Sequence, residues 1–269
     1  MRVCPDLIYD VGVCHGDDSA YYLHKGYRVV GIEPHPGLVE RLRERFEGEI
    51  SEGRYILVES AIAEHAGEAQ FWICDDVPGW SSFDPEIAGY DGSRCHQVSV
   101  STTRFEHVLE QFGVPVFCKI DIEGSDAFCL EGLSVDTRPQ FLSVEIPVIG
   151  TGVVRGKGGE DYIRRLEKLG YSRFKIISQV TFRQPGKILA WIKAQLPRYA
   201  SWRITRLQRL IMMRRSDGDW TFSDEASGPF GEETGGKWLN SADAIALARL
   251  LESNDDFSDW FDIHATVAA

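Results

Sequence analysis

Three groups of residues in this chain have the types and spacing of a chemical site. The first is Asp10-Val11-Gly12-Val13-Cys14-His15-Gly16, placed after an apolar run and before a short helix. A glycine at each end lets the backbone turn tightly and lets a ligand lie against it, and the amides that open the helix are free donors. Dinucleotide-binding loops carry Gly-x-Gly-x-x-Gly at this place; this chain does not. The second is Glu33, ending an apolar run just before Pro34. A carboxylate there can accept both hydroxyl hydrogens of an adenosine ribose. The third is Lys119-Ile120-Asp121-Ile122-Glu123-Gly124. A period of two puts Lys119, Asp121 and Glu123 on one face of a buried strand, where three charges need partners. Either a working site or a structural ion-pair network satisfies that need.

The elements that must position these groups follow from the hydrophobic pattern. Ile8–Gly12 is a first strand and Ser19–Lys25 a short helix. Arg28–Glu33 is a second strand, and Pro36–Phe46, with Leu38, Leu42 and Phe46 in phase, is an amphipathic helix. Tyr55–Ala63 is a third strand, and Glu68–Cys74 suggests a hairpin where a plain repeat would place a helix. Residues 75–97, rich in Gly, Pro, Asp and Ser, form a long loop expected near the site, with Trp80, Ser81 and Ser82 as border residues or packing. Val98–Ser101 is a further strand, followed by a helix at Arg104–Phe112, the strand Val116–Ile122 and another helix. The strand Gln140–Ile146, the helix Asp161–Leu169 and the strand Arg173–Ser178 close the series. Strands alternating with helices predict an α/β fold with a doubly wound, mostly parallel sheet.

Composition narrows the partners. The 269 residues are 43% hydrophobic and 26% charged, the balance of a soluble globular chain, with no run of the roughly 20 apolar residues that a membrane span requires. A net charge of −12 argues against nucleic acid, whose binders show a basic face. The six cysteines form no Cys-x-x-Cys pair and no zinc-type cluster, so they are expected as reduced thiols. The first strand begins too early to leave room for a secretory signal, and a cytoplasmic location is the expectation.

The blocks IYDVGVCHGDDS, VVGIEPHP, VESAIAEHAGEAQFW, KIDIEGSD and FLSVEI, in this order over about residues 7–147, resemble the FkbM family of class I methyltransferases. The resemblance implies a Rossmann-like core with S-adenosylmethionine held by the loop at Asp10, Gly12 and Gly16. It implies the ribose at Glu33 and the adenine near Ser60 and Ala61. The acceptor expected is a hydroxyl on a sugar, glycolipid or polyketide-like small molecule. Methyl transfer to an alcohol gains from a general base. Asp121 and Glu123 are the first candidates and Glu145, on the neighbouring strand, the third; Asp121 also serves the cofactor. Such carboxylates could hold Mg²⁺, but no second Asp-x-Asp-like cluster accompanies them and no metal is expected. The alternatives are an NAD(P)-dependent oxidoreductase on a similar sheet and a non-catalytic S-adenosylmethionine-binding module.

Three regions are expected: a core at 1–182, a basic helical insert at 183–215 and an acidic segment at 216–269 that returns to the core, together one compact domain. Residues 183–215 carry nine Lys or Arg and no acid, whereas 216–269 carry twelve acids against Lys237 and Arg249. A basic, Trp-bearing amphipathic helix at 187–215 suits a peripheral contact with an anionic membrane. The competing reading, favoured by net charge, is a lid whose cations face those acids. Trp260–Val267 is a last strand, and its His264 is a satisfied core histidine or an acceptor-site residue.

Overall fold

The computed structural model describes residues 2–146, 158–188, 191, 195, 203, 216–223, 226–252 and 260–267. The chain forms two compact units, Met1–Gln140 and Phe141–Ala269. The division falls inside the stretch that the sequence pattern treats as one core.

The first unit is built on β1 (Val3–Val11), β2 (Arg28–Ile32), β3 (Tyr55–Val58) and β7 (Val114–Ile120), side by side in the order β3-β2-β1-β7. All three pairings are parallel. Central β1 is flanked on both edges, so Leu7, Ile8, Tyr9 and Val11 are all fully buried, the continuous apolar run that parallel sheets demand. The connecting helices are α1 (Asp17–His24), α2 (Pro36–Arg45) with the short α3 (Glu47–Ser51), and α5 (Phe105–Phe112). The core is fastened at its base by Tyr9. Its ring meets Phe105 edge-on at 6.2 Å and its hydroxyl donates to the carbonyl oxygen of Gly113 at 2.6 Å.

The run from Tyr55 to Ala63 is two strands rather than one. It breaks at Glu59-Ser60, where the Ser60 amide turns back to the Val58 carbonyl at 3.0 Å. Ala61–Ile62 (β4) then joins a separate small sheet with β5 (Gly67–Cys74) and β6 (Cys95–Thr103) in the order β4-β6-β5; the hairpin expected at Gly67 does not form, because β5 pairs antiparallel with β6 and not with the strand before it. Between β5 and β6 the long loop folds into two single turns and α4 (Pro85–Ala88). β7 also stops earlier than the alternation suggests. Asp121 and Glu123 lie in the turn leading to α6 (Asp126–Glu131), not in the strand.

In the second unit β8 (Phe141–Glu145) and β9 (Arg173–Ser178) are separated by β12 (Phe261–Thr266), antiparallel to both. The last segment thus becomes the strand expected of it. The helices α7 (Gly158–Lys168) and α8 (Ser241–Glu252) pack together, with Arg249 donating to Glu160 at 2.7 Å. The many acids of residues 216–269 obscure α8 in the sequence, although Ala244, Ile245, Leu247 and Ala248 give it a buried stripe. Residues Ser216–Asp217 and Trp220–Thr221 make a two-stranded ribbon, β10 and β11. The architecture is Rossmann-like and mostly parallel. Most of 187–215 lies outside the described residues, and among those described no helix is long and apolar enough to cross a membrane.

Tyr9→Phe removes the donor from the half-buried Gly113 carbonyl without opening a cavity, so urea unfolding should show a loss of about 1 kcal/mol with an unchanged slope.

Candidate cofactor and methyl-transfer site

The loop after β1 is forced to glycine by its neighbours. Gly12 has φ +87°, and a Cβ there would stand 1.8 Å from the Asp121 carbonyl oxygen. The chain ends of β1 and β7 therefore touch through Gly12, with the Asp121 amide donating to the Val11 carbonyl at 3.0 Å. Gly16, φ +85°, plays a packing part: a Cβ would strike Phe46 and Leu42 at under 3 Å. It sets α1 against α2.

Above these strand ends opens a cleft. Gly12, Cys14, Glu33, Ser60, Ala61, Asp121 and Glu123 line it, together with the apolar Leu38, Ile62, Phe71 and Phe83. The apolar members were not legible as site residues, since Phe71 and Phe83 belong to the added sheet and its loop and meet edge-on at 5.2 Å only once both have folded.

Glu33 presents a buried carboxylate here, 5% exposed. One oxygen accepts from the Cys14 amide and the other from the His35 amide, each at 2.9 Å. Cys14 holds φ +51° to make that bond. Burial pushes the Glu33 carboxyl up to about 7, against the opposing pull of the two amides. Both oxygens keep lone pairs, so the group fits a ligand bearing adjacent hydroxyls. His35 caps α2, its Nδ1 accepting from Gly37 and Leu38, and His96 sits 3.0 Å from Asp75. Neither partner was evident in the sequence.

Asp10 does not reach the cleft. It is fully buried, accepting from the Ser19 hydroxyl at 2.6 Å, and desolvation raises its carboxyl to about 6 despite the nearby Lys119. The Lys119 ammonium lies 3.3 Å from Asp121, 3.4 Å from Asp18 and 3.8 Å from Asp10. The network alternative is therefore realised in part: Lys119 and Asp121 do share a side of the chain. Glu123 leaves it, because its backbone turns left-handed at φ +48° and Gly124 follows at +92°. Asp126 stabilises the turn by accepting from the amides of Ile122 and Gly124, at 3.1 and 3.2 Å. The loop beyond β5 clamps it too, the Ser82 hydroxyl donating to the Glu123 carbonyl at 2.8 Å. Burial first, then the charges of Asp121 and Asp126, hold the Glu123 carboxyl well above the usual carboxylate range.

The long loop contributes Pro78, Gly79, Ser81 and Phe83 to the lining. Trp80 is not among these; its ring stacks edge-on against Tyr90 at 5.3 Å, the packing role. In the second unit Glu145 ends β8, opposite Asp262. His264 is 3% exposed between Ser143 and Lys175, and neither ring nitrogen has a protein partner. It is a core histidine but not a satisfied one, and burial lowers it to about 3.

A glycine-turned loop, an acid closing the second strand and an acidic turn after the fourth parallel strand define a nucleotide cleft of the Rossmann-like class. Residues 10–191 match the methyltransferase FkbM domain, and the chain belongs to that family. That family is one of S-adenosylmethionine-dependent methyltransferases. No curated protein matches the sequence. Among solved structures, the FkbM methyltransferase of Methylobacillus flagellatus KT is similar at 18% identity and TM-score 0.37, over 54% of this chain and 34% of that one. The chain thus aligns with about a third of that protein's length. A precorrin-6y C5,15-methyltransferase from Geobacter metallireducens GS-15 gives 11% and 0.38, over 99% and 82% of the two chains. The phosphoethanolamine N-methyltransferase 2 of Haemonchus contortus, solved with S-adenosyl-L-methionine, gives 10% and 0.41, over 100% and 50%.

Two measurements probe the site. Glu33→Gln should weaken S-adenosylhomocysteine binding by about tenfold in calorimetry. In the native protein, hydroxyl donors favour the ionised carboxyl, so affinity should rise as pH passes upward through about 7, and the variant should lose that step. Lys119→Met leaves three acids around an apolar chain and should cost about 3–5 kcal/mol of stability by urea unfolding. That loss should shrink toward acid, where Asp10, already raised, takes up a proton.

Proposed function

We propose that this protein methylates a hydroxyl oxygen of a sugar, glycolipid or polyketide-like small molecule. The observation that supports it is the Glu123 carboxyl at the cleft, held well above its ordinary range by burial and by Asp121 and Asp126. An alcohol loses its proton as its oxygen bonds to carbon, and a base poised nearer neutrality takes that proton better than an ordinary carboxylate. S-adenosylmethionine, when bound, supplies a methyl already activated by the sulfonium.

The chain's own residues do the rest. Glu33 would hold the ribose, Gly12 lets the backbone approach, and Ser60 and Ala61, with Leu38, Phe71 and Phe83 beside them, offer a slot for the adenine. Asp121, tied to Lys119, would fix the cofactor's amino acid end, and Glu123 would accept the hydroxyl proton. The apolar side of the cleft excludes water from that transfer. Alignment of this kind supplies about 7 to 11 kcal/mol of such a barrier. Asp10 and Gly16 would support the loop from beneath.

With labelled S-adenosylmethionine and a panel of glycosides and hydroxylated macrolides, the product should carry a new methoxy carbon by NMR. A methyl found on nitrogen or carbon would refute the oxygen assignment, and cofactor binding without turnover on any acceptor would favour the non-catalytic module. Glu123→Gln should lower kcat by about a hundredfold or more while S-adenosylhomocysteine affinity changes little. The native rate should climb with pH as Glu123 ionises, and the variant's profile should be flat over that range.

A further inference from the structure

One peptide unit at the cleft is gripped from both ends. Asp126 accepts from the Gly124 amide at 3.2 Å, and the Ser82 hydroxyl donates to the Glu123 carbonyl at 2.8 Å. The amide and the carbonyl belong to the same planar unit and point opposite ways, so the two bonds together fix how it is turned. It needs fixing. Glu123 before it is left-handed at φ +48°, which costs a glutamate stability, and Gly124 after it, at +92°, has no side chain to restrain rotation. Ser82 is placed for the task. It is 2% exposed, and its oxygen accepts from the Asp84 amide at 3.1 Å, which leaves the hydroxyl hydrogen for the Glu123 carbonyl. Its backbone is held separately, since Ser82 and Trp72 exchange both amide-to-carbonyl bonds, at 2.9 and 2.8 Å. The loop therefore closes without the hydroxyl, and packing alone does not account for it.

We infer that Ser82 is a positioning residue, aiming the Glu123 carboxyl into the cleft by locking the peptide between Glu123 and Gly124. This rests on the reading of Glu123 as the base. Freed of the bond, Glu123 can leave the left-handed region, and its Cα–Cβ bond changes direction with its backbone angles. A reacting group displaced by about 1 Å loses on the order of a hundredfold in rate, so a lock of this kind acts on the chemical step. The same loop also shapes the cleft. Ser81 and Phe83, on either side of Ser82, line it together with Glu123, and Ile87 of α4 lies against Gly124, where a Cβ would come within 2.9 Å of its side chain. Residues 81–87 thus build part of the wall and hold the acidic turn at once.

The first test uses the full chain saturated with S-adenosylhomocysteine and needs no acceptor. With glutamate labelled by carbon-13 at the side-chain carboxyl, the native protein should give one NMR signal that Glu123→Gln removes. In Ser82→Ala that signal should titrate at lower pH, because a carboxyl swung out of its buried place regains water and escapes the charges of Asp121 and Asp126, which outweighs losing the weaker pull of Lys119. Ser82→Cys, which fills the space with a weak donor, should behave alike. In both variants S-adenosylhomocysteine affinity should change little, because the Trp72 pairing keeps Ser81 and Phe83 in place. A Glu123 titration that neither variant moves overturns the inference. On an acceptor that the protein methylates, Ser82→Ala should lower kcat about tenfold, and lower it no further in a Glu123→Gln background. Equal losses in both backgrounds give Ser82 a role apart from Glu123 and overturn the inference as well. A full rate in Glu123→Gln sinks the base reading instead, and the titration still decides whether Ser82 aims the carboxyl.

Discussion

The first unit depends on one buried cation. Lys119 on β7 reaches Asp10 on β1, Asp18 on α1 and Asp121 in the turn that follows, all within 4 Å. Taking an ammonium and three carboxyls out of water is costly, and the attraction among them offsets that cost only if each is held in place. The holding is done by the Ser19 hydroxyl on Asp10 and by the strand pairing of β1 with β7. Because these contacts tie the carboxyl ends of two strands to the first helix, they fix where the glycine loop can run. Gly12 then passes against the Asp121 carbonyl with no room for a side chain.

The same surroundings set the chemistry. Glu33 and Glu123 are both pushed up by burial, yet their neighbours differ. Glu33 is steadied by two backbone amides, which draws it back toward the ionised form and suits it to accept hydrogen bonds. Glu123 has two acids for neighbours and a left-handed backbone, an arrangement that costs stability and that folded proteins keep chiefly where a function needs it. Two glutamates in one cleft thereby stand in different surroundings, the basis of the proposed division between ribose binding and proton transfer.

The second unit buries polar groups for structural ends as well. Lys175 is 2% exposed and donates to the carbonyls of Gly231 and Thr234 and to the Thr234 hydroxyl, with its ammonium 4.3 Å from the centre of the Trp238 ring. These bonds pin residues 231–234 over one face of β9. His264, one strand away and lacking a protein partner, stays neutral because burial and the Lys175 charge both oppose its protonation.

Local signals in the sequence carried the order of elements in the first unit, the glycine loop, Glu33 at its strand end and the added strand after Gly67. Each rests on residues within one or two turns of one another: glycine spacing, alternation, and Pro34 or Pro36 at a boundary. The resemblance of five short blocks to one family carried the cofactor. Tertiary structure decided what depended on distant neighbours. Tyr55–Ala63 broke in two because Ala61 and Ile62 pair with β6, and Asp121 and Glu123 left the strand because Asp126 gathers the amides of the turn. Asp10 and Gly16 went beneath the cleft while Phe71 and Phe83 entered it, since the charge network and the packing of Phe46 and Leu42 claimed the first pair. A sequence shows which side chains need burial or a partner, but which partner satisfies the need is fixed only when segments far apart in the chain compete for the same space.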